Sequence, residues 1–383
     1  MKSKSECCGC SACEQICPVG CIKMKEDEEG FLYPKIDETK CIHCKKCEKV
    51  CPIRYPNKKN KETKTYVAYA KDEEIRKKSS SGGIFSLLAK SVLLQDGVVF
   101  GAAFDTQFQV HHIGVTKIEE LEKLRGSKYL QSRVEHTFCE AENYLKEGKL
   151  VLYSGTACQI EGLQKYLGKS YENLLTIDVL CHGVPSPKIW KLYLKQLKTK
   201  YDSKIEKVHF RNKKDGWKKY SILIRFENAK KHLISFKKDK FMKMFLSNIN
   251  LRPSCHNCQF KAIPRASDIT LGDCWGIEDY MPEMDDDGGT SVILVHTVKG
   301  EEQLKKIKES MVYKKAELDK ALSPVSDSRK SVRIHPNRKK YWNALLKEQK
   351  TFEELYEFVE KSFFQKVTGG IRNLVECLFN QNK

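Results

Sequence analysis

Cys7-Cys8-Gly9-Cys10-Ser11-Ala12-Cys13-Glu14-Gln15-Ile16-Cys17-Pro18 is the stretch on which the reading turns, and Cys41-Ile42-His43-Cys44-Lys45-Lys46-Cys47-Glu48-Lys49-Val50-Cys51-Pro52 repeats it. Each copy has the spacing Cys-x2-Cys-x2-Cys-x3-Cys-Pro. Three cysteines in a tight loop present their sulfurs to one cube of iron and sulfide. The fourth, on the next helical turn, points away and in two-cluster ferredoxins ligates the other cluster. This pattern assigns Cys7, Cys10, Cys13 and Cys51 to one [4Fe-4S] cluster and Cys41, Cys44, Cys47 and Cys17 to a second. Zinc also binds paired Cys-x2-Cys units, but it does not call for three evenly spaced cysteines and a Cys-Pro, given twice. Cys8 and Cys21 are left over and read as small buried fillers beside the clusters.

Working outward, the 383 residues are too many for such a module alone, and a second unit is expected. Of 17 cysteines, 10 fall before residue 52. The start MKSKSECCGC lacks the apolar run of a signal peptide, so the expectation is a cytoplasmic protein whose thiols bind metal, not a disulfide scaffold. No uninterrupted apolar stretch has the length of a membrane span. Net charge is +19, of which residues 1–56 contribute one unit and the remainder +18. A solvated Lys-rich surface or attraction of anionic partners explains that excess. Nucleic acid is not expected as a partner, because neither paired zinc-finger histidines nor an RNA-binding aromatic motif is present.

The polar, proline-bearing run Tyr55-Pro56-Asn57-Lys58-Lys59-Asn60-Lys61 marks the first boundary. Short apolar runs at Tyr66 to Ala70, Val98 to Phe104, Leu150 to Tyr153 and Leu174 to Leu180 read as strands. Helical patterns at Ile84 to Leu94, Val134 to Lys146, Ile160 to Leu167 and Lys188 to Leu197 alternate with them. His209 to Arg211 and Ile222 to Phe226 add strands. From about Gly300 the pattern is helical, with Phe352, Leu355, Phe358, Val359 and Phe363 as a packing stripe. The expected architecture is an α+β ferredoxin-like two-cluster head, residues 1–56, and a linker, residues 57–64. A larger α/β domain with a mixed sheet, residues 65–300, and a helical C-terminal tail, residues 301–383, follow.

No G-x-G-x-x-G occurs. Two other small-residue turns open helices instead, Ser79-Ser80-Ser81-Gly82-Gly83 and Ser154-Gly155-Thr156-Ala157-Cys158-Gln159; each alone reads as a helix cap or as an anion cradle. Taken in order with LRGSKYLQS, IDVLCHGVPSP, FRNKKDGW, LRPSCHNCQF and SDITLGDCWGI, these motifs make nearly the whole chain resemble the beta-subunit family of deazaflavin-coenzyme (F420) hydrogenases and dehydrogenases. That family also includes a chlorophyll-cycle reductase. The resemblance implies FAD, one further [4Fe-4S] cluster, and electron exchange between a two-electron substrate and one-electron carriers. It does not imply the deazaflavin itself.

For the third cluster, Cys255-x2-Cys258 is a metal-binding pair, and Cys181 and Cys158 stand beside glycine-rich turns. Cys274 competes as the fourth ligand. Similar sequences often carry an aromatic residue there, which favours Cys158, and zinc on the same thiols is the alternative. For FAD the resemblance points to Ser81, Gly82, Gly83, the Ser127-Lys128-Tyr129-Leu130-Gln131-Ser132 turn, Gly155, Thr156 and Gln159. Lys128 and His182 are the catalytic candidates: Lys128 to neutralise phosphate or reduced flavin, His182 to donate to substrate or flavin. Arg211, Lys213 and Trp217 read either as the anionic-substrate wall of a pocket or as a hairpin with a solvated basic edge. His256 reads as a loop residue, and Cys139 and Cys377 as buried packing residues. The expected function is a flavin-dependent iron–sulfur oxidoreductase working between a small-molecule substrate and a ferredoxin or other small redox protein. The rival is an electron-transfer subunit serving a catalytic partner, and similar bacterial sequences point to surface-polysaccharide metabolism.

Overall fold

The computed structural model describes residues 3–322 and 329–359. Sequence repetition at the start becomes backbone repetition. Gly9 and its counterpart His43 have φ of 71° and 51°, and Ser11 and its counterpart Lys45 have 62° and 58°. Each left-handed pair folds a cysteine loop back onto a single helical turn, Ala12–Gln15 in one copy and Lys46–Lys49 in the other. An antiparallel hairpin, β1 Ile22–Glu26 and β2 Leu32–Ile36, joins the copies. Its turn is held by the Asp27 carboxylate, which accepts from the amides of Glu29 and Phe31 at 3.1 and 3.0 Å.

The body begins with β3 Lys64–Ala70, then β4 Val98–Phe104, β5 Val110–Val115, β6 Val151–Thr156 and β7 Leu174–Val179. An antiparallel sheet of β8 Ile205–Asn212, β9 Ser221–Phe226 and β10 Lys231–Ser235 follows, then β11 Ile269–Asp273, β12 Ser291–Val295 and β13 Met311–Lys315. The large sheet has the order β13-β3-β12-β11-β7-β6-β4-β5. Strands β4, β6, β7 and β11 are parallel, and β3 runs with them because it is antiparallel to β12, itself antiparallel to β11. Central strands are covered on both faces: all five residues of β12, Ser-Val-Ile-Leu-Val, are buried. The mixed sheet and alternating helices match the expected α/β body.

Two features depart from expectation. Beyond residue 300 the chain is not only helical, because β13 pairs with β3 as an edge strand of the large sheet. The aromatic stripe after it does pack: Phe352 and Leu355 lie in a core with Trp190, Phe210, Phe241 and Tyr341. Phe363 and Cys377 lie outside the described residues. Second, many contacts cross from the head. Cys10, Ala12 and Val50 share a packed cluster with Phe138, Ile160 and Leu163 of the body. Gln15 Oε1 accepts from the amide of Phe138 at 3.0 Å. The expected linker is pinned, with Asn57 Nδ2 donating to the Glu161 carbonyl at 3.0 Å and Asn60 Nδ2 to the Arg265 carbonyl at 2.8 Å. No helix among the described residues is long and apolar enough to cross a membrane.

Candidate functional site

Five parallel strands deliver their carboxyl ends to one edge, the usual ligand side of an α/β sheet. Strand β6 ends at Thr156, which caps the helix Ala157–Leu167 through a reciprocal box: the Thr156 amide donates to Gln159 Oε1 at 3.0 Å. Cys158 follows in its first turn. Past β7 come Cys181 and His182, and past β11 come Cys274 and Trp275.

Cys158, Cys181, Cys255 and Cys258 line one cavity at this edge, with about 710 Å³ of empty space that includes its open mouth. Burial and the neighbouring Cys158 and Cys258 thiols push Cys181 up to about 12. Among the described residues no three of these sulfurs lie within 4.8 Å of one another. A single tetrahedral zinc, with Zn–S near 2.3 Å, would hold them about 3.8 Å apart. Arg252, Lys261 and Arg265 also line the cavity, and all three are buried. Sequence reasoning singled out none of them, although Arg252 and Lys261 stand three residues either side of the Cys255, Cys258 pair. Cys274 is elsewhere, buried with Trp217 and Val292, its thiol donating to the Ala321 carbonyl at 3.5 Å.

Of the expected flavin residues, Gln131, Ser132, Thr156 and Gln159 line this same cysteine cavity. Gln131 Nε2 donates to the Cys8 carbonyl at 3.1 Å, and Gln159 Nε2 to the Ser132 carbonyl at 3.1 Å. Cys8 is thus more than a filler, since it lines the cavity and contacts both Cys10 and Cys158. Gly155 sits beside Gln159 and His112.

Ser81, Gly82, Gly83, Ser127, Lys128 and Tyr129 form a second group. A Cβ on Gly82 would come within 2.4 Å of the Ala68 carbonyl, so packing against β3 accounts for that glycine. Gly83, with φ of 90°, caps the helix Ile84–Leu93. Ser81 Oγ donates to the Thr290 carbonyl at 3.0 Å, and the Ser127 amide to Ser80 Oγ at 2.6 Å. Lys128 keeps some exposure, but its ammonium is enclosed by the carbonyls of Leu124, Arg125 and Gly126 at 3.4, 3.0 and 3.3 Å. Burial pushes it down to about 7. Tyr129 stacks on Phe245 at 5.2 Å, and His182 meets the same ring edge-on at 5.1 Å while bonding Asn248 Oδ1 at 2.7 Å.

Arg211, Lys213 and Trp217 form no solvated hairpin edge. Arg211 is buried on Asp273 at 2.9 Å and also donates to the Ser80 carbonyl at 3.2 Å and Tyr129 Oη at 3.2 Å. Lys213 Nζ donates to the carbonyls of Arg76, Ser81 and Gly288 at 2.9, 2.8 and 2.8 Å, and burial lowers it to about 7. Trp217 stacks on Trp275 at 4.5 Å and donates to Asp273 at 3.2 Å. Together they hold the 79–83 loop in place. His256 is a loop-type residue bonded to the Val332 carbonyl at 3.2 Å, and Cys139 is exposed, contrary to expectation.

In the head, burial and the thiols of Cys7, Cys51 and Cys47 push Cys13 up to about 12, whereas Cys17 lies beside Cys21, Sγ to Sγ 3.4 Å. The two loops differ in setting: Cys8, Cys10, Ser11 and Ala12 are buried on the body, while residues 42–46 are all exposed, Ile42 at 60 %.

A doubled cysteine motif folded as two like loops and packed on an α/β body defines an iron–sulfur electron-transfer protein. Residues 6–54 match the 4Fe-4S dicluster domain, residues 65–137 the N-terminal part of the coenzyme F420 hydrogenase/dehydrogenase beta subunit, and residues 148–321 its C-terminal part. The chain belongs to the coenzyme F420 hydrogenase/dehydrogenase beta-subunit family, within the oxidoreductases. A chain of the F420-reducing [NiFe] hydrogenase complex from Methanosarcina barkeri is similar to it at 18 % identity, covering 82 % of this chain and 94 % of that one, with a TM-score of 0.46. No curated protein matches.

Proposed function

We propose that the chain is a flavin-dependent iron–sulfur oxidoreductase passing electrons between a small-molecule, two-electron substrate and a ferredoxin-type carrier. The observation that carries this reading is the inner cavity: four cysteines from three separate segments, ringed by three buried cations and abutting the first head loop. Its donors fit a third [4Fe-4S] cluster held by Cys158, Cys181, Cys255 and Cys258. All-thiolate ligation suits it, and Arg252 and Lys261 offset an anionic guest, while Arg265 is paired with the Asp178 carboxylate at 2.8 Å. The buried first loop and exposed second loop then order the sites from inside to outside.

FAD would supply exchange of electron pairs with a small molecule and of single electrons with the clusters. Donor chemistry fits it: among the described residues Lys128 bonds backbone carbonyls and no carboxylate, Arg211 and Lys213 brace the 79–83 loop, and Tyr129 and Trp275 give flat faces. Gln131 and Ser132 would face the ring from the cavity side, and Lys128 would offset phosphate or added electron charge. His182, held by Asn248, would orient a donor toward the same space.

The second reading, an electron-transfer subunit serving a catalytic partner, is favoured by the structural duties of Gly82, Ser81 and Gln159, which packing and capping account for. Anaerobic purification separates the two. The enzyme reading expects about twelve irons per chain from three four-iron clusters, together with FAD that a two-electron donor reduces in the isolated chain. Full iron without flavin would leave only the second reading, and eight irons with one zinc would remove the inner cluster.

A further inference from the structure

Arg252 lies in the seam between head and body and is 1 % exposed. Its Nε donates to the Cys7 carbonyl at 2.9 Å, Nη1 to Gln131 Oε1 at 2.7 Å, and Nη2 to the Leu32 carbonyl at 2.9 Å. Its guanidinium carbon lies 4.2 Å from the centre of the Tyr33 ring. All three acceptors are neutral oxygens, and no ion pair to a carboxylate forms among the described residues. A fully buried charge held only by neutral dipoles is costly and calls for a counter-charge nearby.

Cysteine sulfur is a negative charge within reach, beside the Glu6 carboxylate that lines the same cavity. Arg252 lines the cavity of Cys158, Cys181, Cys255 and Cys258, while its Nε bond ends on the backbone of Cys7, in the first head loop. The first head loop packs directly on it. A Cβ on Gly9 would stand 2.9 Å from Arg252 Nη1 and 2.7 Å from Gln131 Nε2, so a side chain there would push on the Arg252–Gln131 pair.

We propose that Arg252 is a positioning residue that serves as shared counter-charge to the inner cluster and the first head cluster, raising the reduction potential of both while leaving the second head cluster unaffected. The inference rests on the cluster assignment above. Reduction adds negative charge, so a fixed desolvated cation stabilises the reduced form, and net charge and hydrogen bonding near the sulfurs are among the terms that set these potentials. The exposed second loop lies away from the seam and acts as an internal reference.

The test is an anaerobic redox titration of the full-length protein followed by electron paramagnetic resonance, on the unaltered chain, Arg252→Lys, Arg252→Gln and Gln131→Glu. Iron content is measured first: a chain short of the inner cluster defeats the cluster assignment itself. With iron intact, Arg252→Gln should lower the reduced-to-oxidised ratio of the inner and first head clusters at least tenfold at fixed potential, about 59 mV for one electron. Arg252→Lys should keep most of the original value, because the charge remains. Gln131→Glu tests the same field without removing the arginine, should Arg252→Gln fail to fold, and should shift the same two clusters downward. Unchanged potentials, a common shift of all three clusters, or a lysine variant that behaves like glutamine would each overturn the proposal.

Discussion

Cys21 reads in the sequence as a filler, yet its sulfur stands 3.4 Å from that of Cys17 and it also neighbours Cys41. Donating its hydrogen bond to Cys17 pushes the Cys21 thiol up to about 12. A fifth thiol beside the second set means that a lost ligand has a substitute in place. Cys17→Ala alone should therefore retain part of the cluster of Cys41, Cys44 and Cys47, and Cys17→Ala with Cys21→Ala should lose it. The cluster of Cys7, Cys10, Cys13 and Cys51 should survive both changes. Iron counting with low-temperature resonance spectra distinguishes these, and loss of the first-loop cluster in the double variant would reverse the crossed ligand pairing. What the sequence displays at this scale is spacing: each head loop closes within a dozen residues, so its chemistry is local and readable. Arg252 and Cys7 are 245 positions apart, and only the fold brings them together.

Among elements, the strands that the sequence reveals are those with mostly apolar runs, such as Val98–Phe104 and Leu174–Val179, although the apolar central strand Ser291–Val295 is not among them. Those it hides are mostly edges. Val110–Val115 carries two histidines and a glycine, Lys231–Ser235 begins with two basic residues, and Met311–Lys315 ends in two lysines. Each lies at the margin of its sheet, where one side faces no strand and polar residues interrupt the pattern. The helix Ala157–Leu167 offers a test whose sign decides the matter. In a free helix Gly162→Ala would stabilise by about 1 kcal/mol through propensity. Here the new Cβ would meet Cys10 Cβ at 2.8 Å and Cys10 Sγ at 3.0 Å. Overpacking of that kind costs about 1–3 kcal/mol, so the melting temperature should fall; a rise would show that the head does not seat on this helix.

At the scale of the whole molecule, head and body form one packed unit through the Cys10, Phe138 and Leu163 cluster, the Gln15 bonds and the pinned residues Asn57 and Asn60. Removing residues 1–56 would bare Ile160 and Leu163, so the body should lose stability without its head. The unequal setting of the two cysteine loops also fixes how the protein meets air. Oxygen attacks four-iron clusters from solvent, and residues 42–46 leave the second head site uncovered while the first head loop and the proposed inner site lie beneath packed side chains. Brief aeration should bleach the protein in steps, with the cluster of Cys41, Cys44 and Cys47 failing first and about a third of the iron released if the proposed inner cluster is counted with the two of the head, before the inner sites change. Simultaneous loss of all three signals would contradict this order. Depth below the surface would then be legible as a sequence of decay times, and the outermost site would act as the sacrificial layer that shields the rest.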